Sequence, residues 1–361
     1  MKKLVFVTDR IESSAFGGRE QLSRLLANAL ADIYGGQMET VSLSEAMNTP
    51  PVLLQDLLKG HVNGASRGNI ASIVERVKNL HAGEVFLNGS NLGRVAQGVR
   101  EACPSVRITT FFHNCEARFF LGAVRHQPSI RALGVLLANY RAERAAVRCS
   151  QNLICLNERD SSQLERTYGR RGTHLLPMAL KDQLPDELPA QPPGCAERYA
   201  LFVGGTFYAN RQGIEWFVEQ VAARSPLKTY VVGKGFESWK VELERNGNVE
   251  VIGGVDSLVP WYLGAHVVIA PIFDGSGMKT KVAEALMFGK RVVGTPEAFV
   301  GYEAIVGRAG AVCESPSDFL AALETEASRP FTGIDPELRA CYEDRHSFQT
   351  ARDQLVRILA A

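Results

Sequence analysis

PIFDGSGMKTKVAEALMFGKRVVGT, Pro271–Thr295, is the stretch that decides how this chain folds. It follows the apolar run VVIA (Val267–Ala270), turns through Gly-Ser-Gly, enters a segment of helical period and ends on another short apolar run, Val292–Gly294. Strand, glycine loop, helix and strand in that order make a βαβ unit with parallel strands. Gly275 and Gly277 let the backbone come close to a ligand, and a helix start offers unbonded N–H groups and the positive end of its dipole, which suit a phosphate. Lys279 and Lys281 add full positive charges there. Glu284 lies about one turn inside the helix, where a carboxylate accepts hydrogen bonds from a ribose diol. Taken singly, the glycines and lysines also fit an ordinary turn with a solvated lysine pair; the whole ordered string points to an anionic ligand.

The same alternation extends in both directions. Strand-type runs fall at Leu4–Thr8, Val41–Leu43, Val85–Asn88, Arg107–Phe112 and Asn152–Leu156, and again at Tyr199–Val203, Thr229–Val232 and Val249–Ile252. Helical patterns occupy Arg19–Ile33, Arg211–Val221, Ser257–Leu263, Lys281–Phe288, Pro316–Ala327 and Phe348–Leu359. Between the two series, Leu180–Glu197 holds Pro185, Pro189, Pro192 and Pro193 with little periodicity and reads as a linker. The expectation is an α/β protein of two doubly wound, Rossmann-like domains facing a cleft, residues 1–179 and 198–340, joined by 180–197 and followed by a terminal helix in 341–361. In such sheets, ligands bind beyond the carboxyl ends of the strands.

The length of 361 residues agrees with two domains. Lys plus Arg number 40 and Asp plus Glu 39, a near-neutral balance that argues against a dedicated nucleic-acid binder. The halves differ: Met1–Met178 carries a net +7 and the remainder a net −6. That asymmetry suggests different partners for the two domains, with drift in surface composition as the plain alternative. Seven cysteines without a C-x-x-C pair make a zinc site or disulfide framework unexpected. The start, MKKLVFVTDR, has too short an apolar run for a signal peptide, and no stretch reaches a membrane span. A cytoplasmic protein with reduced thiols is expected.

The string from Gly275 to Glu284 resembles the donor-binding segment of GT-B glycosyltransferases, especially the large retaining family 4. Members show G-S-G, a basic residue, Lys, then E-A-L or E-A-M, with G-K-x-V-V soon after. The resemblance implies that Gly275, Ser276, Gly277, Met278, Lys279, Thr280 and Lys281 hold the diphosphate of a nucleotide sugar and that Glu284 binds its ribose. Many relatives carry a second Glu where this chain has Ser276, so the sugar is left open. FVGGTFYANRQG (Phe202–Gly213) is similar to the family's first donor-domain loop, which assigns Gly204, Gly205 and Arg211 to the donor. VVGKG (Val231–Gly235) is similar to the segment bordering the nucleotide and adds Gly233 and Lys234. In the first domain, FGGRE (Phe16–Glu20) resembles the Gly-Gly loop, placing Gly17 by the acceptor and Gly18 by the donor phosphates. FFHNCEARFF (Phe111–Phe120) resembles the H-N-x-E segment and assigns His113, Asn114, Glu116 and Arg118 to the acceptor side. ICLNERDSSQL (Ile154–Leu164) looks like the strand-end S-E-x-D segment with Asn157 in place of Ser. The terminal helix packs back on the first domain in relatives.

His113 follows an apolar strand at its carboxyl end; it either lines the cleft and aids proton transfer or bonds to local backbone. Ala117–Cys149 holds six arginines against Glu143, with Phe119, Phe120, Leu121 and Val124 among the first of them. That pattern suits an anionic inner-membrane surface or a lipid-linked acceptor, and equally suits packed helices with solvated arginines. The resemblance implies a retaining transferase that moves a sugar from a nucleoside diphosphate, a UDP-sugar by preference, to a hydroxyl of a glycan or lipid-linked acceptor. Lys279, Lys281 and Arg211 are expected to stabilise the leaving diphosphate, with His113 as a further catalytic candidate. No metal or other cofactor is expected, since no His/Asp/Glu set has metal spacing. A nucleotide-sugar epimerase of similar fold, or a non-catalytic partner subunit, stays open as an alternative.

Overall fold

The structure, a computed structural model, describes residues 2–9, 17–43, 50–126, 128–187, 198–331 and 333–360. Phe16 of the Gly-Gly loop and residues 188–197 of the proline-rich stretch lie outside the described residues. The chain divides into two compact units, Met1–Pro177 with Ala351–Ala361, and Met178–Thr350.

The first unit is built on six parallel strands: β1 (Leu4–Thr8), β2 (Met38–Ser42), β3 (Glu84–Asn88), β4 (Arg107–Phe112), β5 (Asn152–Cys155) and β6 (His174–Leu175). Their spatial order is β2-β1-β3-β4-β5-β6. The inner strands are apolar on both faces because helices cover both, and β1 and β3 are buried along their whole length. β2 is an edge strand whose residues Met38–Thr40 are half-buried or exposed, so it starts three residues before the apolar run that the sequence offers. The helix Gly18–Tyr34 follows β1 and buries Leu22, Leu25, Leu26, Ala29 and Leu30. The last turns of the terminal helix, Phe348–Ala360, belong here: Arg107 of β4 donates both to the Leu359 carbonyl and to Glu84.

The second unit carries β7 (Tyr199–Val203), β8 (Lys228–Val232), β9 (Val249–Gly253), β10 (Val267–Ala270), β11 (Val292–Gly294) and β12 (Gly310–Val312), all parallel, in the order β12-β11-β10-β7-β8-β9. Its core packs Phe202, Phe217, Val231, Ile269 and Phe319 together. The helix after β7 runs Tyr208–Gln220, three residues earlier than its apolar period begins, because no side chain caps it to mark the start. The stretch Met178–Asp182 is fixed within this unit. Leu180 N–H bonds the His346 carbonyl, Tyr342 OH donates to the Leu180 carbonyl, and Arg339 pairs with Asp182. The start of the proline-rich segment is therefore anchored, and residues up to Thr350, including the first three of the terminal helix, belong with the second unit. Cys115, Cys155 and Cys313 are buried free thiols, as small cysteines near apolar strand ends tend to be.

Candidate functional site

β7 and β10 are neighbours in the sheet, paired through Val267 with Ala200 and Val268 with Leu201, while the sheet continues from them in opposite directions. That is the switch point of a doubly wound sheet, and the loops leaving these two strands frame its crevice. The two loops are packed by glycine. A side-chain carbon on Gly213, in the helix Tyr208–Gln220, would come within 1.8 Å of the Pro271 carbonyl oxygen, so only glycine lets that helix lie against the loop after β10. Asp274 pins the loop: Oδ1 accepts from Gly275 N–H at 2.7 Å, and Oδ2 accepts from Tyr208 OH at 3.2 Å. Gly277 at φ +64° makes the turn into the helix Thr280–Met287, a conformation other residues rarely adopt. Tyr302 OH holds the Lys279 carbonyl at 3.0 Å, and no side chain caps this helix start.

Lys279, Lys281 and Glu284 then fall in three different environments. Lys279 Nζ is 2.8 Å from Glu297 Oε1 and 3.4 Å from the Ser276 carbonyl, both partners largely shielded. Lys281 turns the other way. Its Nζ donates to Asn210 Oδ1 at 3.0 Å and sits 4.1 Å from the centre of the Phe202 ring, and the residue is 7% exposed. Asn210 in turn donates to the Gly205 carbonyl at 2.9 Å. Burial brings the Lys281 ammonium down to about 7, against the opposing pull of nearby Glu284. Glu284 is buried and accepts from Tyr262 OH at 2.6 Å, while the Tyr262 ring stacks on Phe288.

The neighbouring loop completes the frame. A side-chain carbon on Gly233 would lie 1.7 Å from the Gly204 carbonyl oxygen, so the turns after β7 and β8 touch backbone to backbone. Glu237 fixes this corner by accepting from Gly254 N–H and Gly235 N–H, each at 2.6 Å, which holds its carboxyl below the usual range. Lys234 and Gly205 are exposed at the rim. Arg211, expected beside the diphosphate, lies over the Trp239 ring at 4.7 Å with Nε 3.5 Å from Glu215. Tyr262 and Glu297 were not singled out in the sequence. Neither has a motif of its own; each is defined by its partner, Glu284 or Lys279, far along the chain.

In the first unit the switch point lies between β1 and β3, where Thr8 is in register with Asn88. Asn88 Nδ2 donates to Thr8 Oγ1 at 3.1 Å, and its Oδ1 faces His113 Nε2 at 2.8 Å. Nε2 therefore carries the hydrogen and Nδ1 keeps a lone pair, which no group among the described residues engages. Burial, aided by the Arg19 charge, holds His113 neutral, well below the usual histidine range. Glu116 opens the helix Glu116–His126 and is also buried. Arg19 Nη1 is 3.4 Å from it, and Nη2 is 3.1 Å from Asp9. Burial raises the Glu116 carboxyl to about 7; Arg19 opposes that shift, and Glu143 and Asp9 add to it. Glu143 is the capping group of this helix. It accepts from Glu116 N–H at 2.9 Å, Ala117 N–H at 3.1 Å, Ser90 OH at 2.9 Å and Tyr168 OH at 2.7 Å. The structure thus joins His113 and Glu116 to Asn88, Arg19 and Asp9. Arg118 is exposed, Asn114 is half-buried, and Gly17 precedes Gly18 at the helix start, its carbonyl accepting from Gln21 N–H at 3.0 Å. Among the described residues no three His, Cys, Asp or Glu side chains are grouped to hold a metal ion, and no helix is long and apolar enough to cross a membrane.

A glycine loop, an open helix start, a buried lysine and a buried glutamate thus meet at a Rossmann-type switch point, an arrangement able to hold an anion. Residues 197–327 match the family model for glycosyl transferases group 1. The match spans β7 to the helix Pro316–Ser328 and so contains every loop just described for the second unit. Solved GT-B glycosyltransferases share the fold of the whole chain. HepE of Anabaena, in complex with UDP, superposes at TM-score 0.70 with 15% identity over 99% of both chains. Sucrose-phosphate synthase of Thermosynechococcus elongatus reaches 0.75 at 15% identity, covering 99% of this chain and 98% of that one. The lipopolysaccharide outer core galactosyltransferase WaaB gives 0.66 at 12% identity over 99% of both. No curated protein shows a significant sequence match.

Proposed function

We propose that the chain is a retaining glycosyltransferase that moves a sugar from a UDP-sugar to a hydroxyl of a glycan or lipid-linked acceptor. We place it in bacterial-type surface polysaccharide or glycolipid assembly, at the inner face of the plasma membrane. The observation that carries the reading is the placement of Lys281 and Glu284 on one uncapped helix at the switch point of a domain that matches glycosyl transferases group 1. The similar fold of HepE, solved with UDP and with UDP-glucose, supports uridine as the base.

In this reading Glu284 accepts from the ribose hydroxyls while Tyr262 keeps its second oxygen in place. The helix start and Lys281 face the diphosphate, and Lys279 exchanges Glu297 for it. As the anomeric C–O bond breaks, negative charge grows on the diphosphate, and fixed donors of this kind stabilise it more in the transition state than in the ground state. Front-face attack, with the leaving phosphate taking the acceptor proton, agrees with the resemblance and needs no carboxylate nucleophile. His113 Nδ1 and Glu116 are the first unit's candidates for contacts to sugar or acceptor hydroxyls. No metal is required for charge neutralisation where two lysines and a helix start are available.

Calorimetry with UDP, GDP and ADP, followed by turnover with UDP-sugars with and without lipid-linked acceptors, tests the reading. UDP binding that depends on Glu284 is expected, and NMR of the product's anomeric proton decides retention. Absence of any nucleotide binding by the folded protein would refute it.

A further inference from the structure

The first unit holds a cavity of about 620 Å³ on a face that the reading above does not use. Its walls are the end of the helix Pro50–Lys59, the start of the helix Arg67–Asn79, the helix Gly93–Ala102 and the helix Ile130–Cys149. Lys59, Arg67, Arg94 and Arg141 line it, with Glu101 as the single acidic side chain. Glu101 accepts from Gln97 Nε2 at 2.8 Å, and the Gln97 oxygen accepts from Arg94 Nη1 at 2.6 Å. Arg94 Nε is buried with no hydrogen-bond partner among the described residues. Burial and the neighbouring Arg141 charge both disfavour the Arg94 cation. A cavity with four cations, one of them holding a shielded and unsatisfied N–H, is built for an anion.

The surface beside the cavity tells what carries that anion. Along the helix Ile130–Cys149, the exposed residues at helical spacing are Ile130, Leu133 and Leu137, followed by Arg141, Arg144 and Arg148. Ile130 is 91% exposed, Leu133 55% and Leu137 39%. Leu58, 48% exposed, adjoins this line, since Arg141 donates to its carbonyl. An apolar stripe thus runs along one helix and ends, one turn on, at a cationic cavity. Inorganic phosphate would leave the stripe without a role, and a nucleic acid would not call for one.

We propose that this cavity receives the phosphate headgroup of an anionic lipid, with the stripe Ile130–Leu133–Leu137 in the interfacial layer of the bilayer. The assignment rests on the membrane part of the reading above and deepens it by naming the site and its ligand, while it uses none of the residues of the nucleotide site. Each basic side chain held near an anionic bilayer strengthens binding about fivefold.

The test uses the full chain in flotation with phosphatidylcholine vesicles and with vesicles containing about a third phosphatidylglycerol. Lys59→Gln/Arg67→Gln removes two charges from the cavity, and Arg144→Gln/Arg148→Gln removes two from the same helix face outside it. All four positions are exposed, so both variants should keep the parent thermal midpoint. Binding to the anionic vesicles is expected, and the cavity pair should lose about tenfold more affinity than the control pair, whose loss follows the roughly fivefold-per-charge rule. Leu133→Ser/Leu137→Ser should weaken vesicle binding while leaving titration with inorganic phosphate unchanged. Equal losses in the two charge pairs would mean diffuse attraction and overturn the proposal. So would phosphate binding without vesicle binding, or no binding by the parent. UDP calorimetry on the same samples keeps this outcome separate from that of the nucleotide site.

Discussion

Lys281 offers the sharpest test of the nucleotide site, because its ammonium is in a place that favours the neutral form until an anion arrives. Burial moves its pKa from 10.5 to about 7 in the empty protein, a displacement worth roughly 5 kcal/mol at 1.36 kcal/mol per unit. A diphosphate beside Nζ reverses that preference and pulls the pKa back up. Since the bound form then holds a proton that the free form has lost, the binding benefit is full below pH 7 and declines as pH rises towards the bound value. At pH 8, free Lys281 is protonated in only about one molecule in eleven, so UDP binding should take up about 0.9 proton; at pH 6 it should take up about 0.1. The assay is calorimetry in two buffers of different ionisation enthalpy, with the parent and Lys281→Met compared at each pH. The difference between the two proteins removes the nucleotide's own titration, which lies near pH 6. Proton uptake that is the same in the parent and in Lys281→Met at every pH between about 6 and 10, together with unchanged UDP affinity, would show that Lys281 does not meet the diphosphate, and the assignment of this helix start would fall.

Three further outcomes are expected. Glu284→Ala should weaken UDP binding about tenfold to a hundredfold in calorimetry, the scale of a charge-assisted hydrogen bond of roughly 1.5–3 kcal/mol, and Tyr262→Phe should cost less because it only frees the carboxylate. Lys279→Ala should lower kcat about a hundredfold with little change in UDP affinity, whereas Glu297→Gln, which releases Lys279, should leave kcat near the parent value; a stopped-assay comparison of both variants decides it. Gly213→Ala should destabilise the protein by about 1–3 kcal/mol, seen as a lower thermal midpoint, because its new carbon meets the Pro271 carbonyl oxygen at 1.8 Å.

The sequence makes the parallel sheets readable because buried strands between helices have to be short and apolar throughout. Leu4–Thr8, Tyr199–Val203 and Val267–Ala270 stand out for that reason, and their positions match the strands found. Edge strands escape the same rule. β6 has two residues and β12 has three, and the residues of β12 are half-buried or exposed, so neither announces itself. The glycine loop and Glu284 were legible because a strand end, two glycines and a helix start are contiguous. The partners that set their chemistry were not. Tyr262, Glu297 and Asn210 reach the loop from separate elements, and single-sequence reading carries no information about which side chains meet across a sheet. The same holds for Glu143, read only as the lone acid in a basic stretch, which caps the helix beginning at Glu116 from 27 residues away. Arg211 is prominent in the sequence for its position rather than for its neighbours. Its place in the first donor loop suggests a phosphate contact, and the structure adds a neighbour the sequence does not show, the Trp239 ring supplied by the next βα unit.

Four of the buried polar groups follow the carboxyl ends of strands. Lys281, Glu284, His113 and Glu116 are all buried polar or charged residues, the types least expected inside, and each pair lies by the switch point of its own sheet. Burial alone would favour apolar residues of similar size there, since an isolated buried charge destabilises the folded chain. The structure offsets that penalty only in part. Lys281 has one amide oxygen and a ring face, and His113 Nδ1 has no hydrogen-bond partner among the described residues. Incomplete satisfaction costs the empty protein stability and leaves donors and acceptors already oriented for a ligand, without the reorganisation that flexible solvated groups would need. A purely structural role would have completed these bonds, as Glu143 does with two backbone N–H groups, two hydroxyls and the Cys115 thiol in the same protein. On the proposed function, the contrast between Glu143 and Lys281 separates a buried charge that holds the fold from one that meets a ligand.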